Sequence, residues 1–258
     1  MIAIRPSARA RHITERNARV YLRLWYMFVS GFFEPLFYLL SIGIGVGHLV
    51  GGVQVGGHLV KYGTFVAPGM MASAAMNGAV FDATFSIFFK LKYMKLYDSV
   101  VATPMSASDI AAGELLWSLI RGGSYSLAFL VSMTALGFTG SWWAVLALPA
   151  ALLIGFAFSA AGMALSSFLR TWHQFDYINL ALIPLFLFSG TFYPIAVYPR
   201  ALQLVVQISP LYHGVALIRA ACLGDLSVGL LGHAAYLLLV GAVGLVVTGR
   251  RLAHLLLT

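Results

Sequence analysis

The chain has 258 residues, 60% of them hydrophobic and only 9% charged, with a formal charge of +8. A soluble domain carries about 25% charged residues, so this composition and a mean hydropathy of +0.89 exclude an ordinary soluble globule. Alternating segments of about ten residues are missing, which excludes a membrane β-barrel, and the single cysteine, Cys222, excludes an internal disulfide framework. The composition predicts an all-α, polytopic membrane protein, because several segments reach the ~20 apolar residues a helix needs to cross hydrocarbon.

The first element is a basic stretch over 1–23. Arg5, Arg9, His12, Arg16, Arg19 and Arg23 recur at steps of four and three, which puts them on one face of a helix. The spacing predicts an amphipathic helix on an anionic cytoplasmic leaflet; the other reading is a disordered basic tail that only sets topology. The stretch is basic for too long, and the apolar run after it is too long, for a cleavable leader.

Six spans are then predicted, at about 24–46, 62–87, 110–136, 142–168, 177–192 and 228–247. The first contains Glu34-Pro35, and a glycine-rich, uncharged connector follows it. Between the second and third lies the longest polar interruption in the chain, 88–109, with Lys90, Lys92, Lys95 and Asp98. Pro104 stops the helix before it. Ser106 and Asp109 have the S-x-x-D spacing of a capping box that opens a new helix, so this elbow reads as ordered. The fourth span carries Gly155, Ser159, Ala160, Ala161 and Gly162, small residues suited to close helix packing. A short polar connector holds Arg170, His173, Gln174 and Asp176. Beyond the fifth span, 190–221 is too broken by Pro194, Pro199 and Pro210 for one straight span and too apolar for a loop. It predicts a pair of short helices that dips into the outer leaflet and returns.

The positive-inside rule sets orientation. With both termini cytoplasmic, the inner segments carry six, three, one and two basic residues, and the outer side holds Lys61, Arg200 and Arg219. This asymmetry uses up the positive charge and leaves no basic patch for nucleic acid. The two halves share no motif, which weighs against an inverted-repeat transporter.

Catalytic signatures are missing. No Gly-Lys pair exists to build a P-loop, the seven histidines form no H-E-x-x-H pair, and there is no G-x-S-x-G elbow. Within the spans, ionisable residues mark function by default. Glu34, and Arg121 with Glu114 two turns away on the third span, either line a path or pair with neighbouring helices. Asp82 reads as structural. Phe188 and Phe192 either flank a lipid-like substrate route or simply pack.

Two stretches carry a resemblance. They are KYMKLYDSVVATPMSASDIAAGELLWSLIR at 92–121 and FSGTFYPIAVYPRALQLVVQISPLYHGVALIR at 188–219. With Glu34-Pro35, they resemble the permeases of type-2 ABC exporters, above all those of nodulation-factor (lipo-oligosaccharide) export and, more distantly, daunorubicin-type and O-antigen exporters. The resemblance implies a non-enzymatic subunit in a bacterial cytoplasmic membrane, with a cytoplasmic interface helix over 1–23 and a transmembrane domain over 24–258. It implies a second permease copy or paralogue and a separate ABC ATP-binding subunit that carries ATP and Mg²⁺, with no cofactor on this chain. The elbow is then the coupling helix, with Lys90, Lys92, Tyr93, Lys95, Leu96, Tyr97, Asp98 and Ser99 facing the ATPase, and Tyr93, Leu96 and Tyr97 as apolar plugs. Arg5, Arg9, Arg16 and Arg19 belong to the interface helix that touches the same ATPase, and 190–219 forms outer re-entrant helices. The competing class is an ATPase-independent secondary transporter or channel in which Glu34, Asp82 or Glu114 titrates.

Overall fold

A computed structural model describes residues 8–23, 33, 36–55 and 57–257. Helix α1 spans Ala10–Arg23, and α2 spans Leu36–Val50, largely in π-helical geometry. A β-hairpin follows, β1 (Gly52–Val55) against β2 (His58–Lys61), antiparallel with Val53 opposite Val60. The chain is otherwise helical, as the composition predicts, and this hairpin is the one sheet among the described residues. The V-Q-V run alternates and pairs with H-L-V-K, whose Val60 faces Val53, and Gly57 at φ 84° takes a left-handed conformation that suits glycine.

Helix α3 spans Tyr62–Phe81 and continues through π-turns at Asp82–Ser86 and Phe89–Tyr93. The chain then reverses at Lys95, a non-glycine residue in left-handed geometry (φ 45°, ψ 32°). The short helix α4 (Leu96–Val101) completes the elbow. Helix α5, Ala107–Ala135, opens on the expected capping box: Ser106 Oγ accepts from the Asp109 N–H at 3.2 Å, and Asp109 Oδ2 accepts from the Ser106 N–H at 2.9 Å. Helix α6 spans Trp142–Ser166, α7 Phe175–Leu187, α8 Arg200–Ile208, α9 Pro210–Leu223 and α10 Leu230–Leu257.

Among the described residues, α5, α6 and α10 are long and apolar enough to cross a membrane, and α8 with α9 would add a fourth crossing if taken as one bent span. They match the expected third, fourth and sixth spans. Residues 24–32 of the expected first span, and Glu34-Pro35, lie outside the described residues. The expected fifth span, 177–192, is instead a 13-residue helix with Pro184 inside it, ended by the turn at Gly190 (φ 75°). The short helix pair predicted over 190–221 is present as α8 and α9, bent 87° at their junction.

Helix α6 is the centre of the packing, with α3, α5, α9 and α10 around it. Lipid is as apolar as leucine, so close backbone approach and dispersion hold such helices together. Gly244 on α10 sits against the Ala160 backbone, and a Cβ there would lie 2.7 Å from Ala160 C and Ala161 N. Where α3 ends, Phe85, Phe88 and Phe89 stack with Trp172 and Phe175 at centroid separations of 4.6–5.2 Å, which fastens the elbow's approach to the start of α7.

Candidate functional site

The residues that gather at the elbow come from three elements far apart in sequence. Helix α1 lies along the first half of α5. Ile13, Thr14 and Asn17 form its buried face, one helical stripe at steps of one, three and four. Gly113 lets α1 approach: a Cβ there would lie 2.6 Å from Ala10 O and from Ile13 Cβ. Thr14 Oγ1 donates to the Gly113 carbonyl at 3.0 Å.

The next residue is Glu114, 4% exposed, whose carboxylate is bonded by side chains from α1, from the end of α3 and from α4. The Lys90 ammonium lies 2.7 and 2.8 Å from its two oxygens. Asn17 Nδ2 donates to it at 2.9 Å, and the Tyr97 hydroxyl donates at 3.0 Å. Lys90 also donates to Asn17 Oδ1 at 3.1 Å. A buried charge is tolerable only when paired and hydrogen-bonded, and here each donor comes from a different direction. Burial first, then the adjacent Glu114 carboxylate, holds the Tyr97 phenol well above the usual tyrosine range, so it stays a donor.

Two turns further along α5, Arg121 repeats the arrangement. It pairs with Asp82 of α3, donates to the Tyr21 hydroxyl of α1 at 2.6 Å, and lies over the Tyr21 ring, 4.7 Å from its centroid. Helix α1 is thus pinned to α5 at Thr14, Asn17 and Tyr21, and α3 is pinned to α5 at Lys90 and Asp82.

The predicted coupling residues divide into two sets. Lys92, Tyr93, Lys95, Asp98 and Ser99 are exposed, and Leu96 is half-buried. Tyr97, expected as an outward plug, is 1% exposed and points inward to Glu114; that expectation is corrected, because its hydroxyl is needed to satisfy the buried carboxylate. Lys90 likewise serves the interior. On α1, Arg16, Arg19 and Arg23 line an open groove with His12, Glu15 and Val20, while Arg9 donates to the Pro104 carbonyl at the elbow's exit. Arg5 and Glu34 lie outside the described residues. Arg121 is enclosed by its pair rather than open to a path, and Phe192 packs edge-on against Phe186; Phe188 is exposed.

Sequence spacing missed Asn17, Tyr21 and Arg219. Arg219 of α9 donates to the carbonyls of Gly190 (2.7 Å), Thr191 (3.2 Å) and Phe65 (3.2 Å) and lies 3.9 Å from the Phe65 ring centroid. It clamps the turn after α7 onto α3. Among the described residues, no cluster of three or more His, Cys, Asp or Glu side chains could hold a metal.

The profile of the family described as ABC-2 type transporter matches residues 9–223. The chain is 33% identical over 202 residues to Nodulation protein J of Rhizobium leguminosarum bv. trifolii, covering 78% of this chain and 75% of the relative. It is 32% identical over 194 residues to Nodulation protein J of Rhizobium meliloti (strain 1021), covering 74% and 72%. It is also 24% identical over 206 residues to the inner membrane transport permease YadH of Escherichia coli (strain K12), covering 79% and 78%.

Proposed function

Because the chain belongs to the ABC-2 type transporter family, we propose that it is the membrane-embedded permease of an ATP-driven exporter, moved by a separate nucleotide-binding subunit that grips its elbow. In this reading six spans cross the bacterial cytoplasmic membrane with both termini inside, and two permease copies, identical or paralogous, enclose the path. The cargo is amphipathic or lipid-linked; the similarity to proteins named for nodulation favours a lipo-oligosaccharide. ATP and Mg²⁺ belong to the partner, and this chain supplies a gate.

The observation that carries the mechanism is the Glu114 hub. A nucleotide-binding subunit meets the exposed face of the elbow at Lys92, Tyr93, Lys95, Asp98 and Ser99, and the arginine groove of α1 beside it. A push there reaches α5 through Lys90, Tyr97 and Asn17, all bonded to one carboxylate. The capped start of α5 and the pinned α1 make these elements move together, and rigid-body tilting of packed helices switches a cavity between leaflets.

The test is to reconstitute the permease with its cognate ATP-binding subunit in nanodiscs and measure vanadate-sensitive ATPase and cargo movement together. Reversing the exposed lysines (Lys92→Glu with Lys95→Glu) abolishes co-purification. Glu114→Gln keeps the complex but lowers cargo moved per ATP by about five-fold or more. Cargo movement by this chain alone, or unchanged coupling in both variants, overturns the proposal.

A further inference from the structure

Away from the elbow, helices α9 and α10 meet through two histidines. His213 Nδ1 and His233 Nδ1 face each other at 2.6 Å, with ring centroids 4.8 Å apart. His213 Nε2 lies 2.9 Å from the carbonyl of Gln207 on α8. A carbonyl oxygen only accepts, so Nε2 carries the hydrogen. A neutral His213 therefore presents its lone pair at Nδ1, where the His233 Nδ1–H donates into it. The Tyr236 ring stacks on His213 at 4.1 Å and 24°, and its hydroxyl donates to the Ile208 carbonyl at 2.5 Å. Tyr212 stands edge-on to both imidazoles.

Three helices thus converge on one shared hydrogen: α8 through two carbonyls, α9 through His213, α10 through His233 and Tyr236. The titratable groups against the rings are the Tyr212 and Tyr236 phenols. Among the described residues, no carboxylate, lysine or arginine pairs with either histidine, and no third ligand completes a metal set.

We propose that His213 and His233 form a proton-operated latch between the bent α8–α9 pair and the last helix α10. The contact accommodates two neutral imidazoles, or one imidazole and one imidazolium. It cannot accommodate two imidazoliums: both Nδ1 atoms would then carry hydrogen, no lone pair would remain between them, and two positive charges would face each other across 2.6 Å. The closed latch is therefore present at higher pH and lost as pH falls far enough to charge both rings. When it opens, the junction at Ser209 is freed from α10, and the 87° bend is the hinge about which α8 swings.

The latch is read out on the full chain in nanodiscs by spin labels at Leu204→Cys on α8 and Leu231→Cys on α10, both at exposed positions; Cys222 is buried and does not compete for label. Between about pH 8 and about pH 5 the closed-to-open ratio falls by up to about ten-fold per pH unit on the acid side, the limit for one linked proton. In His233→Gln the amide donates to a neutral His213 or accepts from a charged one, so the ratio changes by less than about two-fold across the same range. His213→Gln gives the same insensitivity and serves if the first variant folds poorly. Nitrogen-15 histidine spectra at neutral pH show His213 protonated at Nε2 and bare at Nδ1. A parent distribution that ignores pH, a His233→Gln or His213→Gln protein that keeps the parent response, or a His213 bare at Nε2 overturns the proposal.

Discussion

Lys90 and Arg219 are both cations enclosed within the helical bundle, and they are held in opposite ways. Lys90 meets a carboxylate that is also bonded from two other elements. Arg219 meets three backbone carbonyls and an aromatic face. An ion pair is strong while intact and costly to half-break, because the survivor is a bare charge in a poor solvent. A carbonyl clamp spreads the same duty over weak dipoles and fixes the loop it grips. The elbow is thus joined to its helices by bonds that are costly to break singly, whereas the turn at Gly190 is held by weaker dipoles.

The comparison is tested hardest at its ionic end. Glu114→Ala leaves the Lys90 ammonium without its carboxylate and lowers unfolding free energy by about 3–5 kcal/mol, seen as a large drop in thermal midpoint in detergent. Glu114→Gln loses much less, and equal losses in the two variants would break the ionic account. Arg219→Met comes second: its three carbonyls lose a donor but are dipoles rather than bare charges and regain partners as the turn relaxes, at about 1–3 kcal/mol in all. A loss as large as that of Glu114→Ala would erase the distinction between the two ends. Gly113→Val drives a side chain into Ala10 and Ile13 and costs about 1–3 kcal/mol; protease access to α1 should rise before the bundle unfolds. The smallest effect has the opposite sign. Lys95→Gly relieves left-handed strain of about 1–2 kcal/mol, partly offset by the freer unfolded chain, and slightly raises the thermal midpoint while weakening partner binding.

What could be read from sequence was local. The capping box at Ser106 and Asp109, the stop before Pro104, the His12–Arg23 part of the cationic stripe, which lies on α1, and the broken apolar stretch around Pro199 and Pro210 are all spacing signals within a few turns, and the structure carries each of them. The hub was hidden because Asn17 and Glu114 are 97 positions apart and nothing in either neighbourhood marks the other. Tyr97 was misjudged for the same reason: an aromatic in a polar elbow looks outward until a buried carboxylate is known to need it. The hairpin at Gly52–Lys61 had a faint signal, valine-rich runs on either side of paired glycines, overshadowed by the apolar spans around it. His213 and His233 sit 20 positions apart, too far for any metal or catalytic spacing to connect them.

The aromatic stack where α3 runs into the elbow has a practical consequence. Trp172 lies edge-on to Phe85 and Phe89, 4.6 and 5.2 Å from their ring centres, on a different segment from both. Its indole emission is thereby a native optical gauge of how far the end of α3 moves from the start of α7. Once the other four tryptophans of the five are replaced by phenylalanine, a single-colour stopped-flow trace can time any movement of this joint without any attached dye.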